Sequence, residues 1–261
     1  MSEANVVIER AGAVATLWLN RPEVHNAFDE TLIANITSAL RELDADASVR
    51  VVVLAGRGKS FCAGGDLGWM RRMAGFSAAE NLADASHLAE MLRVLDTLSK
   101  PTIARVHGAA LAGGTGLVAA CDIAIATPQA SFGTTEVRIG LIPATISPYV
   151  IRAIGIRAAQ RYFLTGERLN SEKAHALGFV HELCAAEEID AKVAEIAASL
   201  LAGAPESLSA CKKLLHAVMN QPLSSELIAD TTQRIAAARG SHEAREGITA
   251  FFEKRKPVWG I

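Results

Sequence analysis

Cysteine is scarce and scattered in this chain. Cys62, Cys121, Cys184 and Cys211 are the only four in 261 residues, and no two form a C-x-x-C pair. That spacing excludes a disulfide framework and a cysteine-rich zinc site, and it predicts reduced, mostly buried thiols in a cytoplasmic, reducing compartment. The seven histidines show no H-x-x-x-H spacing, so no metal site is expected, and no serine stands in a nucleophile elbow. Aromatic residues are few (5%) and are not interleaved with basic ones. There is no Lys/Arg block, and the formal charge is only -2, so nucleic acid is not expected as a partner. No apolar run approaches the ~20 residues of a membrane span. The opening MSEANVVIERAG lacks the pattern of a signal peptide or an Arg-rich transit peptide. The expectation is a soluble protein that engages neither nucleic acid nor membrane.

What is present is apolar material: half of the residues are hydrophobic and 21% are charged, enough for a large buried core. Residues 6–9 and 15–19 read as short strands around a turn at Gly12. Asp29 is placed to cap a helix with its apolar stripe at Ile33, Ile36, Leu40 and Leu43. RVVVL (50–54) reads as a buried strand. A helix carrying Leu88, Met91, Leu92, Leu95 and Leu98 is stopped by Pro101, and strands follow at 102–106 and 122–126. This alternation predicts an α/β architecture with helix-covered sheets up to about residue 185. Beyond about 190 the pattern is helical alone. Val193, Ile196, Ala197 and Leu200 make one stripe, and Leu208, Cys211, Leu215 and Val218 another. Ser241 is placed to cap a last helix bearing Ile248, Phe251 and Phe252. Covering the core and forming a subunit interface are both open to these helices.

Two phosphate-binding patterns fail on context. Gly58-Lys59-Ser60 lacks the earlier glycine of a P-loop, since that position holds Val53 inside a strand. GTGLVA (114–119) fits G-x-G-x-x-A with Glu136 twenty residues past Gly116. The helix that it opens must end near Cys121, however, and the acid does not follow a strand end, so a dinucleotide is not expected.

Two glycine-rich segments remain, each after a strand: FCAGGDL (61–67) and HGAALAGG (107–114), the second opening a helix. Glycine lets backbone approach a ligand closely, and a helix N-terminus offers unpaired N–H groups and a positive dipole end. Two such segments converging on one point could hold a developing oxyanion. They are preceded by LNRPEVHNA (19–27) and followed by FGTTEVRIGLIP (132–143), and the chain ends with FFEKRKP (251–257). In this order and spacing the chain closely resembles the enoyl-CoA hydratase/isomerase (crotonase) family over nearly its whole length.

That resemblance implies a crotonase-like spiral of ββα units in residues 1–190 and an all-helical oligomerisation region in 191–261, building homo-trimers or homo-hexamers. It implies an acyl-CoA thioester as substrate, with CoA entering as part of it and no separate cofactor. The backbone N–H groups of Gly65 and Gly113 would form the oxyanion hole, and Glu136 would be the catalytic carboxylate. Val24, Ala63, Asp66, Leu67 and Leu111 would line the bound acyl-CoA, while Phe251 and Lys254 would reach a neighbouring subunit's CoA.

One departure stands out. Hydratases of this family typically carry a first glutamate at the position of Gly116, and it is absent here. Counting carboxylates favours a proton shuttle, as in the delta3-delta2 enoyl-CoA isomerases. A finer resemblance favours hydration: ATLWLN (15–20), DLGWM (66–70) and EVRIGLIPATISP (136–148) are similar to bacterial methylglutaconyl-CoA hydratases, which also have Gly-Leu at this point. Hydration of a 2-enoyl-CoA, with 3-methylglutaconyl-CoA as leading substrate, is therefore the expected activity. Isomerisation is the alternative, and a non-catalytic acyl-CoA-binding subunit is a third. Whether a second side chain such as Thr115 holds the water is left open, and Arg138 is a candidate cation for a distal substrate carboxylate.

Overall fold

Strands β1 (Val6–Ala11) and β2 (Val14–Leu19) form an antiparallel hairpin around Gly12, whose φ of 58° supplies the left-handed turn. The structure, a computed structural model, describes residues 4–260. Alternate residues of β2, namely Ala15, Leu17 and Leu19, are fully buried. Asp29 caps α1 (Glu30–Ala45): its carboxylate accepts the Leu32 N–H at 2.7 Å, and Ile33, Ile36, Leu40 and Leu43 face the core. Strand β3 (Val51–Gly56) is buried at all six positions, as a strand covered on both faces must be. Asp66 caps the short α2 (Leu67–Met73), and Ser77 with Glu80 forms a capping box for α3 (Ala78–Asp96).

The chain then repeats itself. β4 (Thr102–Val106), β5 (Ala109–Leu111) and α4 (Gly113–Ala120) make one ββα unit. β6 (Ile123–Ala126), β7 (Ser131–Gly133) and α5 (Ser147–Thr165) make the next. The longer strands β2, β3, β4 and β6 pair in parallel in one sheet, while β5 and β7 pair in parallel in a second. An isolated parallel bridge from Cys62 to Ala110 adds the turn after β3 to the second stack. Each unit thus advances both stacks by one step, which makes the path a spiral. β8 (Leu169–Asn170) pairs antiparallel with β7, α6 (Ser171–Ala176) follows, and β9 (Glu182–Leu183) adds to the large sheet beside β6.

Helix α7 (Ile189–Leu201) lies on the large sheet, where Ile189, Val193, Ala197 and Leu201 cover Val51, Val53, Ile103 and Ile125. The three helices after it behave differently. Lys212 is the only buried residue of α8 (Pro205–Val218), α9 (Ser225–Gly240) has none, and α10 (His242–Phe252) has Ala250. Polar tethers fasten this group to the core. Lys212 Nζ donates to Asp122 at 2.6 Å and to the Lys100 carbonyl at 3.0 Å, and Arg50 donates to the carbonyls of Gly203 and Trp259. Leu215, Leu223, Phe251 and Phe252 are left exposed.

The expectation of mostly buried thiols holds only in part. Cys62 and Cys121 are buried, Cys184 is half-buried and Cys211 is exposed, and all four are free. Burial pushes the Cys62 thiol up to about 12. Among the described residues no helix is long and apolar enough to cross a membrane.

Lys212→Ala removes the cation from a mostly buried ion pair, and about 3 kcal/mol of stability should be lost. Asp122 keeps its bonds from the Thr102 N–H and hydroxyl, which holds the loss to that size. Urea unfolding reads this directly; a loss under about 0.5 kcal/mol would show that the tether is a surface pair in energetic terms.

Candidate active site

The two glycine segments run side by side. Cys62 N–H donates to the Ala109 carbonyl at 3.0 Å, and Leu111 N–H donates to the Cys62 carbonyl at 2.9 Å. Gly114 sits so close that a Cβ there would lie 2.3 Å from the Cys62 oxygen, which explains glycine at this position. Among the described residues, neither the Gly65 N–H nor the Gly113 N–H donates to another group of the chain. Gly113 is the first residue of α4, where N–H groups lack intrahelical partners and the dipole end is positive. All eight residues of α4 are buried, so this amide operates in poorly hydrated surroundings where electrostatic interactions are strong.

Ala112, just before it, has φ 48° and ψ -118°, a left-handed conformation that costs a non-glycine residue about 1 to 3 kcal/mol. Two bonds hold the strain. Ala112 N–H donates to the Gly133 carbonyl at 2.7 Å, and its own carbonyl accepts the Gly116 N–H at 3.1 Å. Thr115 locks the same corner: its hydroxyl donates to the Ala110 carbonyl at 2.7 Å and accepts the Gly133 N–H at 3.0 Å. That hydroxyl is buried and committed to the backbone, so Thr115 is a staple and not a holder of water.

Glu136 opens a 3-10 turn (Glu136–Ile139) just past β7, the strand paired in register with β5. The Thr134 hydroxyl donates to the Tyr162 carbonyl, and Leu141 N–H donates to the Glu136 carbonyl, so the turn is pinned from both sides. The Glu136 Oε2 is shielded from solvent and has no hydrogen-bond partner. Burial pushes the carboxyl pKa above its ordinary value. A half-buried carboxylate with one shielded, unpartnered oxygen, in a pinned turn, suits proton transfer.

A second acid at position 116 would have to displace Ile146. A Cβ on Gly116 would lie 2.3 Å from Ile146 Cγ2 and 2.9 Å from Ile146 Cβ. Ile146, itself fully buried, fills the room where a side chain would start.

The remaining candidates divide into two groups. Ala63 N–H donates to the His25 carbonyl at 3.0 Å, which brings Ala63 beside the 3-10 turn carrying Val24. Leu67 is exposed at the start of α2, two residues past Gly65, and half-buried Leu111 leads into Ala112 and Gly113. The Asp66 carboxylate is occupied: it accepts from the Gly68 and Trp69 N–H groups and from Arg21. Burial alone would raise its pKa, but those donors outweigh it and hold the carboxyl below the usual range. Phe251 and Lys254 stand exposed at the end of α10, and among the described residues no hydrogen bond joins them to the glycine segments.

Sequence reasoning passed over Asn26. It is fully buried at φ 56°, and its amide donates to the carbonyls of Arg57, Ser60 and Phe61 while accepting the Arg21 N–H. Arg21 in turn pairs with Asp29 at 2.9 Å and Asp66 at 3.2 Å. The signal was an asparagine, the residue that best tolerates a left-handed turn after glycine, closing an Arg-Pro turn.

Known proteins place this geometry in a class. A solved enoyl-CoA hydratase from Shewanella pealeana superposes with a TM-score of 0.96 at 41% identity, covering 98% of this chain and 96% of that one. The architecture is thus the crotonase fold, an α/β spiral with a helical C-terminal region. A Thermus thermophilus protein named for enoyl-CoA hydratase activity is 39% identical over 94% of this chain and 97% of its own. A crotonyl-CoA hydratase of Syntrophomonas wolfei is 30% identical over 98% of each chain. Residues 9–260 match the enoyl-CoA hydratase/isomerase family, and the chain belongs to it.

Two outcomes follow from Gly116 and Glu136. Gly116→Ala should cost about 1 to 3 kcal/mol by overpacking. In an Ile146→Ala background the same change should cost at least about 1 kcal/mol less, measured by a double-mutant cycle in urea; additive losses would place the clash elsewhere. The native Glu136 carboxyl binds its proton at higher pH than the unfolded chain does, so native protein holds more protons in that window and stability falls as pH rises through it. Glu136→Gln should therefore raise Tm at pH 8 and leave it unchanged at about pH 3, below the unfolded carboxyl's pKa.

Proposed function

We propose that this protein hydrates a 2-enoyl-CoA thioester, with 3-methylglutaconyl-CoA as the leading substrate. The observation that carries the reading is the pair of uncommitted amides, Gly65 and Gly113, together with the shielded, unpartnered oxygen of Glu136. The thioester oxygen accepts both N–H groups. Glu136 takes a proton from water as the water oxygen bonds to the β-carbon, and the double-bond electrons move onto the thioester oxygen as an enolate. The enolate then collapses, and Glu136 returns the proton to the α-carbon. One water is added across the double bond, and the carboxylate is regenerated. Loss of one amide donor from such a hole typically costs ~3 kcal/mol, about a hundredfold in rate.

The chemistry needs no group beyond the CoA thioester itself. The hydratase names of the relatives at 39% and 30% identity support water addition as the reaction class. The substrate assignment rests on the segments shared with methylglutaconyl-CoA hydratases and on Gly116, packed against Ile146, at the position of a second acid. With one carboxylate on the protein, the substrate's distal carboxylate assists, and Arg138 is the cation we assign to it. Arg138 lies two residues past Glu136 and is exposed; its side chain runs beside Gly166, and its charge helps hold the Glu167 carboxyl below its ordinary pKa without a close ion pair among the described residues. Equal rates on substrates without that carboxylate would remove this part of the reading. The exposed Leu215, Leu223, Phe251 and Phe252 support self-association through the C-terminal helices, as homo-trimers or hexamers in which Phe251 and Lys254 reach a neighbouring CoA.

Incubation with 3-methylglutaconyl-CoA in heavy-oxygen water tests the reaction. One heavy oxygen should enter the product, and Glu136→Gln should abolish it. No incorporation, with a 3-enoyl-CoA converted to the 2-enoyl isomer instead, would make this an isomerase.

A further inference from the structure

Phe28 touches both glycine segments at once. Its N–H donates to the Gly64 carbonyl at 2.7 Å, and its carbonyl accepts the Asp66 N–H at 2.7 Å. This parallel bridge uses the groups on either side of Gly65 and leaves the Gly65 N–H out of the pairing. The ring meets the other segment. A Cβ built on Gly113 would lie 2.5 Å from Phe28 Cε2 and 2.9 Å from Cδ2, so the ring occupies the space a side chain there would need.

Phe28 cannot drift. It is 1% exposed within the main core cluster. The next residue, Asp29, caps α1 and pairs with Arg21, which also holds Asp66. Two residues before it, Asn26 ties the same strip of chain to the loop at residues 57–61. The glycine segments are hydrogen-bonded to each other through Cys62 and packed at Gly64, where a Cβ would lie 3.0 Å from the Ala112 Cβ; Phe28 adds a wedge on the Gly113 side, where its ring edge fills the space of a Cβ.

We propose that Phe28 is a positioning residue, a rigid spacer that sets the separation and direction of the Gly65 and Gly113 amides. The inference rests on the reading of those amides as an oxyanion hole. Stabilisation there depends on donors about 2.7–3.1 Å from the developing charge, and small misplacements are costly. A flat ring in a close-packed core resists compression and has only two torsions to fix.

Phe28→Leu keeps the backbone bridge but removes the ring edge against Gly113. It should lower kcat about tenfold, and Phe28→Ala about a hundredfold, with KM for the 2-enoyl-CoA within twofold of wild type. A bound cinnamoyl-CoA bearing an electron-donating ring substituent reports carbonyl polarisation through a red shift in its absorption. That shift should be full in wild type and reduced in Phe28→Leu. Leu40→Ala, equally buried on α1, is the control for general destabilisation: it should lower Tm while keeping kcat and the red shift.

The proposal is overturned if the Phe28 variants lose only Tm, as Leu40→Ala does, and keep wild-type kcat and red shift. Should Phe28→Ala fail to fold, Phe28→Leu carries the comparison alone. Absence of the red shift in wild type would strike down the oxyanion reading itself, and the role of Phe28 with it. That result is distinct from a loss confined to the variants.

Discussion

The close approach of backbone to backbone around the first turn of α4 is the constraint on which the rest of the structure depends. Gly113, Gly114 and Gly116 each lack a side chain because a neighbour occupies its place: the Phe28 ring, the Cys62 carbonyl and the Ile146 side chain. With those three contacts, a helix of eight residues can be buried on every side. Its N-terminal amide is then surrounded by protein and not by water. The strained Ala112 peptide belongs to the same arrangement, since bonds to Gly133 and Gly116 hold it and Thr115 staples the corner. The repeated ββα path supplies the frame. It stacks the turns containing β3, β4 and β6 so that 61–67, 107–114 and 131–136 lie on successive steps.

Chemistry follows from what this packing leaves unsatisfied. Among the described residues the Gly65 and Gly113 amides and Glu136 Oε2 have no partner, and on the proposed reading each complements a charge or proton that a thioester would bring. Other polar groups nearby are spoken for: Asp66 by a helix cap and Arg21, Thr115 by the backbone, Asn26 by four backbone groups. On the proposed reading the site is simple, two amides for the oxyanion and one acid at Glu136. Ile146 keeps it so, because a side chain at position 116 would begin in the space that Ile146 fills.

Much of this was legible in the sequence, for identifiable reasons. The caps at Asp29 and Ser241 and the apolar run of β3 obey local rules, and all three are found where local rules put them. Strands β5, β7, β8 and β9 have two or three residues, too few to show a period. Helices α7 and α8 carry similar apolar stripes, yet α7 lies on the sheet while Cys211 and Leu215 of α8 are exposed. Periodicity shows that a face is apolar, not what covers it. The reach of Phe28 to Gly113 and of Ile146 to Gly116 is long-range packing, and no sequence spacing contains it.

Enolate formation without water addition is the most direct measure of the central claim. A saturated acyl-CoA has no double bond to hydrate, so deuterium entering at its α-carbon in D2O reports the oxyanion hole and Glu136 alone. The account predicts exchange with wild type and at least about a hundredfold less with Glu136→Gln. Exchange undiminished by that substitution, or none with wild type, would contradict it.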